Sequence, residues 1–256
     1  MLVLIGEIEV GAVRRQTVGV LGGMGPAATV DFLAKIIAAT PAERDQDHLH
    51  VLVDCNPQVP DRSAFLRSQG QDPRPSLIAM AKGLEKSGAS FLVMPCNTAH
   101  AFSEDIRAAV AIPLVDWPSV VADAVLAAGV KRAGILASTG TIFADIYRIP
   151  LEARRIQCVV PTASRQADVM RSIYGIEGIK HLGPQSPVAK HDLMAGVDDV
   201  VGQGATALIL ACTEFSLFGA RGQLEVSVPV FDASEIVARH VVSRALGQAV
   251  GAKAGG

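Results

Sequence analysis

The chain of 256 residues is poor in aromatic side chains, which make up 4% of it, with one tryptophan and two tyrosines. It has no block of like charge, and 23 Lys and Arg stand against 25 Asp and Glu for a net charge of −2. So neutral a chain lacks the basic footprint of a nucleic-acid binder, and no nucleic-acid partner is expected. No apolar run approaches the ~18 residues of a membrane span, so no membrane partner is expected. The start, MLVLIGEIEVGAVRRQ, is apolar but has an early Glu7 and no basic opening. It reads as a short extension over residues 1–16 and not as a secretory leader. The four cysteines, at 55, 96, 158 and 212, include no close pair. That spacing excludes a disulfide scaffold and lacks the paired ligands of a zinc site, so no metal is expected. Reduced thiols and a cytoplasmic location are the default that follows.

What the chain does have is a repeat. GASFLVMPC at 88–96 aligns without a gap on GATALILAC at 204–212, and the two end on Cys96 and Cys212. VGVLGG at 18–23 matches AGILAS at 133–138, and IPLVD at 112–116 matches VPVFD at 228–232. WPSVVADAV at 117–125 matches ASEIVARHV at 233–241. Four matches in order at nearly one offset indicate a duplicated architecture, and the offset is too long for a solenoid.

Strand-like apolar runs alternate with helix-like stretches throughout. The strand signals fall at 17–23, 49–55, 90–96 and 113–116, then at 132–138, 156–161, 206–212 and 228–232. Helical patterns lie at 26–40, 75–88, around 101–110 and at 118–128, then at 142–155, 164–180, 187–203 and 234–247. Such alternation predicts an α/β protein of two pseudo-symmetric, doubly wound domains. Each is expected to hold a four-stranded, mainly parallel sheet flanked by helices. The expected division is 17–117 plus 233–256 for the first domain and 118–232 for the second, with the active site in the cleft between them. Both cysteines then sit just past the carboxyl end of a strand, where open α/β sheets bind ligands.

Five strings at those edges carry chemistry. GGMGP at 22–26 joins a strand to a helix; it partly matches a dinucleotide fingerprint, but the acidic residue expected ~20 positions on is displaced. The same turn, with Met24 at its centre, suits a carboxylate at a helix start. PCNTAH at 95–100 places Asn97 and Thr98 beside Cys96, and ACTEF at 211–215 places Thr213 and Glu214 beside Cys212. Glu214 is suited to orient a substrate amino group or a neighbouring side chain, or is a solvated carboxylate at a helix start. NPQVPDRS at 56–63 reads as a loop that brings Arg62, a bidentate carboxylate grip, to the functional edge. ASTGT at 137–141 is the counterpart of the glycine turn, with Thr139 among its hydroxyls. Cys55 and Cys158 have no such company and read as structural.

Together GGMGP, NPQVPDRS, PCNTAH, STGTI (138–142), IYGIEGIK (173–180) and ACTEF resemble the aspartate/glutamate racemase superfamily, in its aspartate racemase branch. The resemblance runs from about residue 17 to about 247. It implies a cofactor-independent homodimer in which two cysteines move a proton at Cα from opposite faces, a role that falls by motif on Cys96 and Cys212. It implies side-chain carboxylate contacts at Arg62 and Lys180, with Asn97, Thr98, Thr139 and Thr213 at other binding positions. Ala211 and Ser63 depart from the usual glycine and threonine. A thiol is apt for two-base chemistry, because its ordinary pKa of about 8.5 lies within reach of neutral pH.

The expectation is an amino-acid racemase acting on aspartate, with glutamate or a broader range of amino acids as alternatives. Other readings are a related thiol-dependent dicarboxylate isomerase or decarboxylase, an amino-acid-binding protein on the same fold, and a nicotinamide enzyme.

Overall fold

The computed structural model describes residues 15–219 and 224–248. Most of the expected N-terminal extension, residues 1–14, lies outside the described residues. Strands β1 (Val18–Gly22), β2 (Val51–Cys55) and β3 (Phe91–Val93) form a parallel sheet in the order β2-β1-β3. Strands β4 (Arg132–Leu136), β5 (Gln157–Val159), β6 (Ala207–Leu210) and β7 (Val230–Asp232) form a second in the order β5-β4-β6-β7. The repeat is visible in the register. Gly19 opposite Leu92 and Gly134 opposite Leu208 are the same pair in the two halves.

The segment 113–116, expected as a fourth strand of the first sheet, makes one parallel bridge, Leu114 with Leu92. Leu92 N–H donates to the Pro113 carbonyl at 2.8 Å, as Leu208 N–H does to Pro229 at 2.9 Å. A proline has no N–H, so at its own position it offers the ladder only its carbonyl. In the second half pairing then continues through β7 to Asp232. In the first half β3 ends at Val93, and Cys96 N–H turns back to the Met94 carbonyl at 2.8 Å.

The helices of the first half are α1 (Pro26–Ala39), α2 (Arg62–Leu66), α3 (Arg74–Lys86), α4 (Ser103–Ala109) and α5 (Trp117–Ala127). Those of the second are α6 (Thr139–Phe143), α7 (Arg148–Ala153), α8 (Ala163–Tyr174), α9 (Ile179–Leu182), α10 (Pro187–Gly202), α11 (Ser216–Gly219) and α12 (Ala233–Ala245). Two expected helices are broken. The stretch 142–155 splits into α6 and α7 near Asp145, whose φ is 51°. The stretch 164–180 splits into α8 and α9 across a glycine-bounded turn, Gly175 to Gly178. Part of the expected 56–63 loop winds into α2, because Asp61 caps it by accepting from Ala64 N–H at 3.0 Å.

Helices α5 and α12 are repeat partners, and each begins on an aspartate cap. Asp116 accepts from Ser119 N–H at 3.3 Å, and Asp232 from Ser234 N–H at 2.8 Å. Both helices contribute to a core shared by the two sheets, where Val18, Phe91, Trp117 and Val121 join Ile135, Ile209, Val237 and Val241. The only tryptophan, Trp117, is fully buried there, its ring 5.2 Å from that of Phe32. Truncating such a ring costs about 3–5 kcal/mol. Each half also has an outer core, around Leu77 and Leu92 in the first and Leu193 and Leu208 in the second. The wide shared core holds the carboxyl ends of the two sheets in fixed relation, which is what the site requires. Among the described residues no helix is long and apolar enough to cross a membrane.

Candidate active site

Cys96 and Cys212 follow β3 and β6 by the same logic. Each strand is a short, fully buried apolar run, and the chain leaves the sheet at its carboxyl end before reaching the thiol. Both thiols are buried, at 5% and 9% exposure, and both line one cleft of about 320 Å³. The other walls include Met24 and Arg62 from the first half, and Ser138, Tyr174 and Glu214 from the second. Enclosing two titratable thiols among convergent polar groups is the usual anatomy of a small-molecule site.

The surroundings of Cys96 are built to receive an anion. Gly23, with φ of 92°, lies where an added Cβ would come 2.4 Å from the Asn56 backbone. Only glycine lets the turn after β1 approach the 56–61 segment so closely. Arg62 at the end of that segment donates from Nη1 to the Val59 and Pro60 carbonyls, both at 3.0 Å, and from Nη2 to the Met24 carbonyl at 3.4 Å. Its Nε is buried without an acceptor. The guanidinium is therefore fixed by its rear edge, while Nε still has a hydrogen to donate, as bidentate carboxylate binding requires. Burial disfavours the Arg62 charge, but the neighbouring Cys96 and Tyr174 favour it and raise the pKa overall.

Beside them Asn97 is buried, its Oδ1 accepting from the Tyr147 hydroxyl and its Nδ2 without an acceptor. The Thr98 hydroxyl bonds those of Ser138 at 2.9 Å and Thr141 at 2.8 Å, tying the two halves together under the cleft. Ser63 Oγ is buried and unpartnered.

Cys212 sits in a different field. Its Sγ donates to Glu214 Oε2 at 3.1 Å, which also accepts from Thr213 Oγ1 at 3.4 Å, while Glu214 Oε1 pairs with Lys180. Burial, and then the Glu214 charge, push the Cys212 thiol well above its ordinary range. Burial opposes ionisation of Glu214, but the Lys180 ammonium outweighs it and holds the carboxyl low. Lys180 is held charged in return, against its own burial, and lies 5.5 Å from the centre of the Tyr174 ring.

Of the residues expected from sequence, Cys96, Cys212, Met24, Arg62, Asn97, Thr98, Thr213 and Glu214 meet at this cleft. Thr139 does not. Its backbone N–H points to Met170 Sδ at 3.1 Å and its hydroxyl accepts from Gln166 at 3.3 Å, so it faces α8. Ser138, which caps α6, takes the wall position instead. Lys180 stands behind Glu214 and not on the wall. Glu214, expected to contact substrate or a neighbouring side chain, has its two oxygens occupied by side chains of the protein. Ser63, Ser138 and Tyr174 line the cleft as well. All three lie within the strings at 56–63, 138–142 and 173–180, so the strings carried them even though residue type alone did not. Cys55 is exposed at the end of edge strand β2. Cys158 lies in a separate hollow, where burial pushes its thiol up to about 11.

A duplicated α/β fold that opens one thiol from each half onto a shared cleft is the design of the racemase family. Known proteins agree. The chain is 28% identical over 234 residues to the broad-specificity amino-acid racemase RacX of Bacillus subtilis, covering 88% of this chain and 96% of that one. Its fold is similar to that of the Picrophilus torridus aspartate racemase, with a TM-score of 0.76 and 28% identity over 90% of this chain and 94% of the other. It is also similar to an aspartate racemase homologue of Pyrococcus horikoshii OT3, with a TM-score of 0.70 and 25% identity over 90% and 99% of the two chains. The chain belongs to the Asp/Glu/Hydantoin racemase family, whose model matches residues 21–241.

Proposed function

We propose that the protein interconverts L- and D-aspartate without a cofactor, by two-base proton transfer at Cα between Cys96 and Cys212. The observation that carries this reading is the meeting of two buried thiols in one cleft whose only buried guanidinium, Arg62, keeps a donor edge free. Arg62 takes the side-chain carboxylate. Asn97 Nδ2 and the Ser63 hydroxyl, both lacking partners in the protein, take the α-carboxylate. There they stabilise the charge that grows as the Cα proton leaves.

Before turnover Cys212 is the thiol, held so by burial and by Glu214, and two-base transfer then requires Cys96 to act first as the thiolate. The thiolate removes the Cα proton from one face and the Cys212 thiol delivers its proton to the other. The two sulfurs exchange protonation states, and the reverse reaction restores them. Similar sulfur bases on both faces let one site serve both directions.

A second reading is racemisation of a wider range of amino acids, which the similarity to RacX favours. Incubating a panel of L-amino acids in deuterated water, and following Cα exchange and chirality, separates the two. Exchange confined to aspartate, or to aspartate and glutamate, supports the first reading, and comparable exchange on neutral amino acids supports the second. Cys96→Ala and Cys212→Ala should each abolish racemisation; full activity in either variant overturns the two-thiol mechanism.

A further inference from the structure

Asn97 has two chemically opposite ends, and the second half of the chain decides which one the cleft receives. Oδ1 accepts from the Tyr147 hydroxyl, and Nδ2, buried and without an acceptor, is left for the cleft. With the ends exchanged, an acceptor would meet the substrate carboxylate and repel it. Tyr147 stands between α6 and α7, buried at 2% exposure. It fills the wall between the thiol cleft and a second hollow of about 220 Å³ lined by Ile135, Thr141 and Cys158. Burial keeps the phenol protonated, so its O–H remains a donor.

We propose that Tyr147 is a positioning residue, whose O–H, given across the two halves, fixes the Asn97 amide with Nδ2 towards the substrate carboxylate. The catalytic use of this arrangement rests on the racemase reading above. The amide orientation itself does not.

The test is a double-mutant cycle with Tyr147→Phe, Asn97→Ala and the double variant, read in kcat/KM for L-aspartate. Loss of one buried hydrogen bond should lower kcat/KM about tenfold in Tyr147→Phe. The loss should be shared between KM and kcat, because Asn97 holds the bound carboxylate and also stabilises the charge that grows on it as the Cα proton leaves. Asn97→Ala should lose more, and adding Tyr147→Phe to it should change nothing further. Losses that add in the double variant would mean that Tyr147 acts by packing alone, and a Tyr147→Phe variant with wild-type kcat/KM overturns the proposal outright. A second readout needs no turnover. The Asn97 side-chain amide signals in an NMR spectrum, assigned by their loss in Asn97→Asp, should shift in Tyr147→Phe while the backbone signals show the variant folded. Unmoved amide signals overturn the proposal. If the wild-type protein racemises no amino acid, the racemase reading falls and the amide signals alone decide the role of Tyr147.

Discussion

Glu214→Gln isolates the electrostatic difference between the two thiols. The substitution keeps the shape of the side chain and removes the charge that accepts from Cys212 Sγ at 3.1 Å. Two unit charges ~4 Å apart interact by about 4 kcal/mol at an effective dielectric near 20. Lys180 binds the same carboxylate and offsets a large part of this. In the variant Lys180 remains, now unopposed, and its ammonium favours the Cys212 thiolate. Both changes have the same sign, so the alkaline limb of kcat/KM, which reports loss of the Cys212 proton, should move down by at least about one pH unit. Burial, the first cause of the raised thiol, is untouched and keeps the limb from falling further. The assay is optical rotation or circular dichroism of aspartate across pH. Where turnover is too slow, iodoacetamide alkylation of Cys212 across pH in a Cys96→Ala background gives the same information without chemistry at Cα. An alkaline limb that stays in place, or moves up, would refute the assignment of Cys212 as the resting acid.

Three further outcomes are expected. Arg62→Lys removes the planar, side-on donor edge and should raise KM for aspartate about ten- to hundredfold, the range for one or two charge-assisted hydrogen bonds, while a neutral amino acid is little affected; equal losses on both would remove Arg62 from side-chain recognition. Gly140→Ala places a Cβ 2.5 Å from Ser63 Oγ and 2.8 Å from its Cα, so it should force α6 from α2, lower stability by about 1–3 kcal/mol and reduce kcat, with thermal melts and kinetics as the check. His100 is buried, donates from Nε2 to the Met94 carbonyl and has its pKa pushed down to about 4, chiefly by burial. Its folded pKa lies below its unfolded value, so its contribution is complete above about pH 6.5 and falls away towards pH 4. The loss approaches ~3 kcal/mol by linkage, and urea unfolding should show a shallower acid loss in His100→Gln than in the wild type.

Much of this was legible in the chain because the repeat reports the sheets directly. Buried parallel strands read as apolar runs, and Cys96 and Cys212 mark equivalent ends of two of them. Asp116 and Asp232 end the matched strings IPLVD and VPVFD, and both cap the helix that follows. What could not be read was contact across the halves. Thr139 and Ser138 are adjacent hydroxyls in one string, and only the direction in which α6 starts decides that Ser138 faces the cleft and Thr139 faces α8. The prolines around Arg62 signal a loop, whereas the Asp61 cap winds it into α2 and its rear edge meets backbone carbonyls. Tyr147 belongs to no string at all. Its meaning comes from Asn97, 50 positions earlier, and no local pattern records a partner at that separation.

The imperfection of the repeat follows from what a racemase must do. Duplication supplies matched thiols, but the residues after them differ, Asn97 and Thr98 against Thr213 and Glu214. Two enantiomers have equal free energy in water, so the equilibrium constant of the proposed reaction is unity and kcat/KM must be the same in both directions, whatever the protein does to either thiol. An unequal pair of sulfurs can therefore change kcat and KM only together, direction by direction. Holding Cys212 protonated through Glu214 favours the form of the free protein that accepts one enantiomer, which lowers KM and kcat for that enantiomer relative to its mirror image. Glu214→Gln should bring the two KM values closer and leave the ratio of the two kcat/KM values at unity. The same substitution that moves the pH profile thus measures how far the two halves have departed from symmetry.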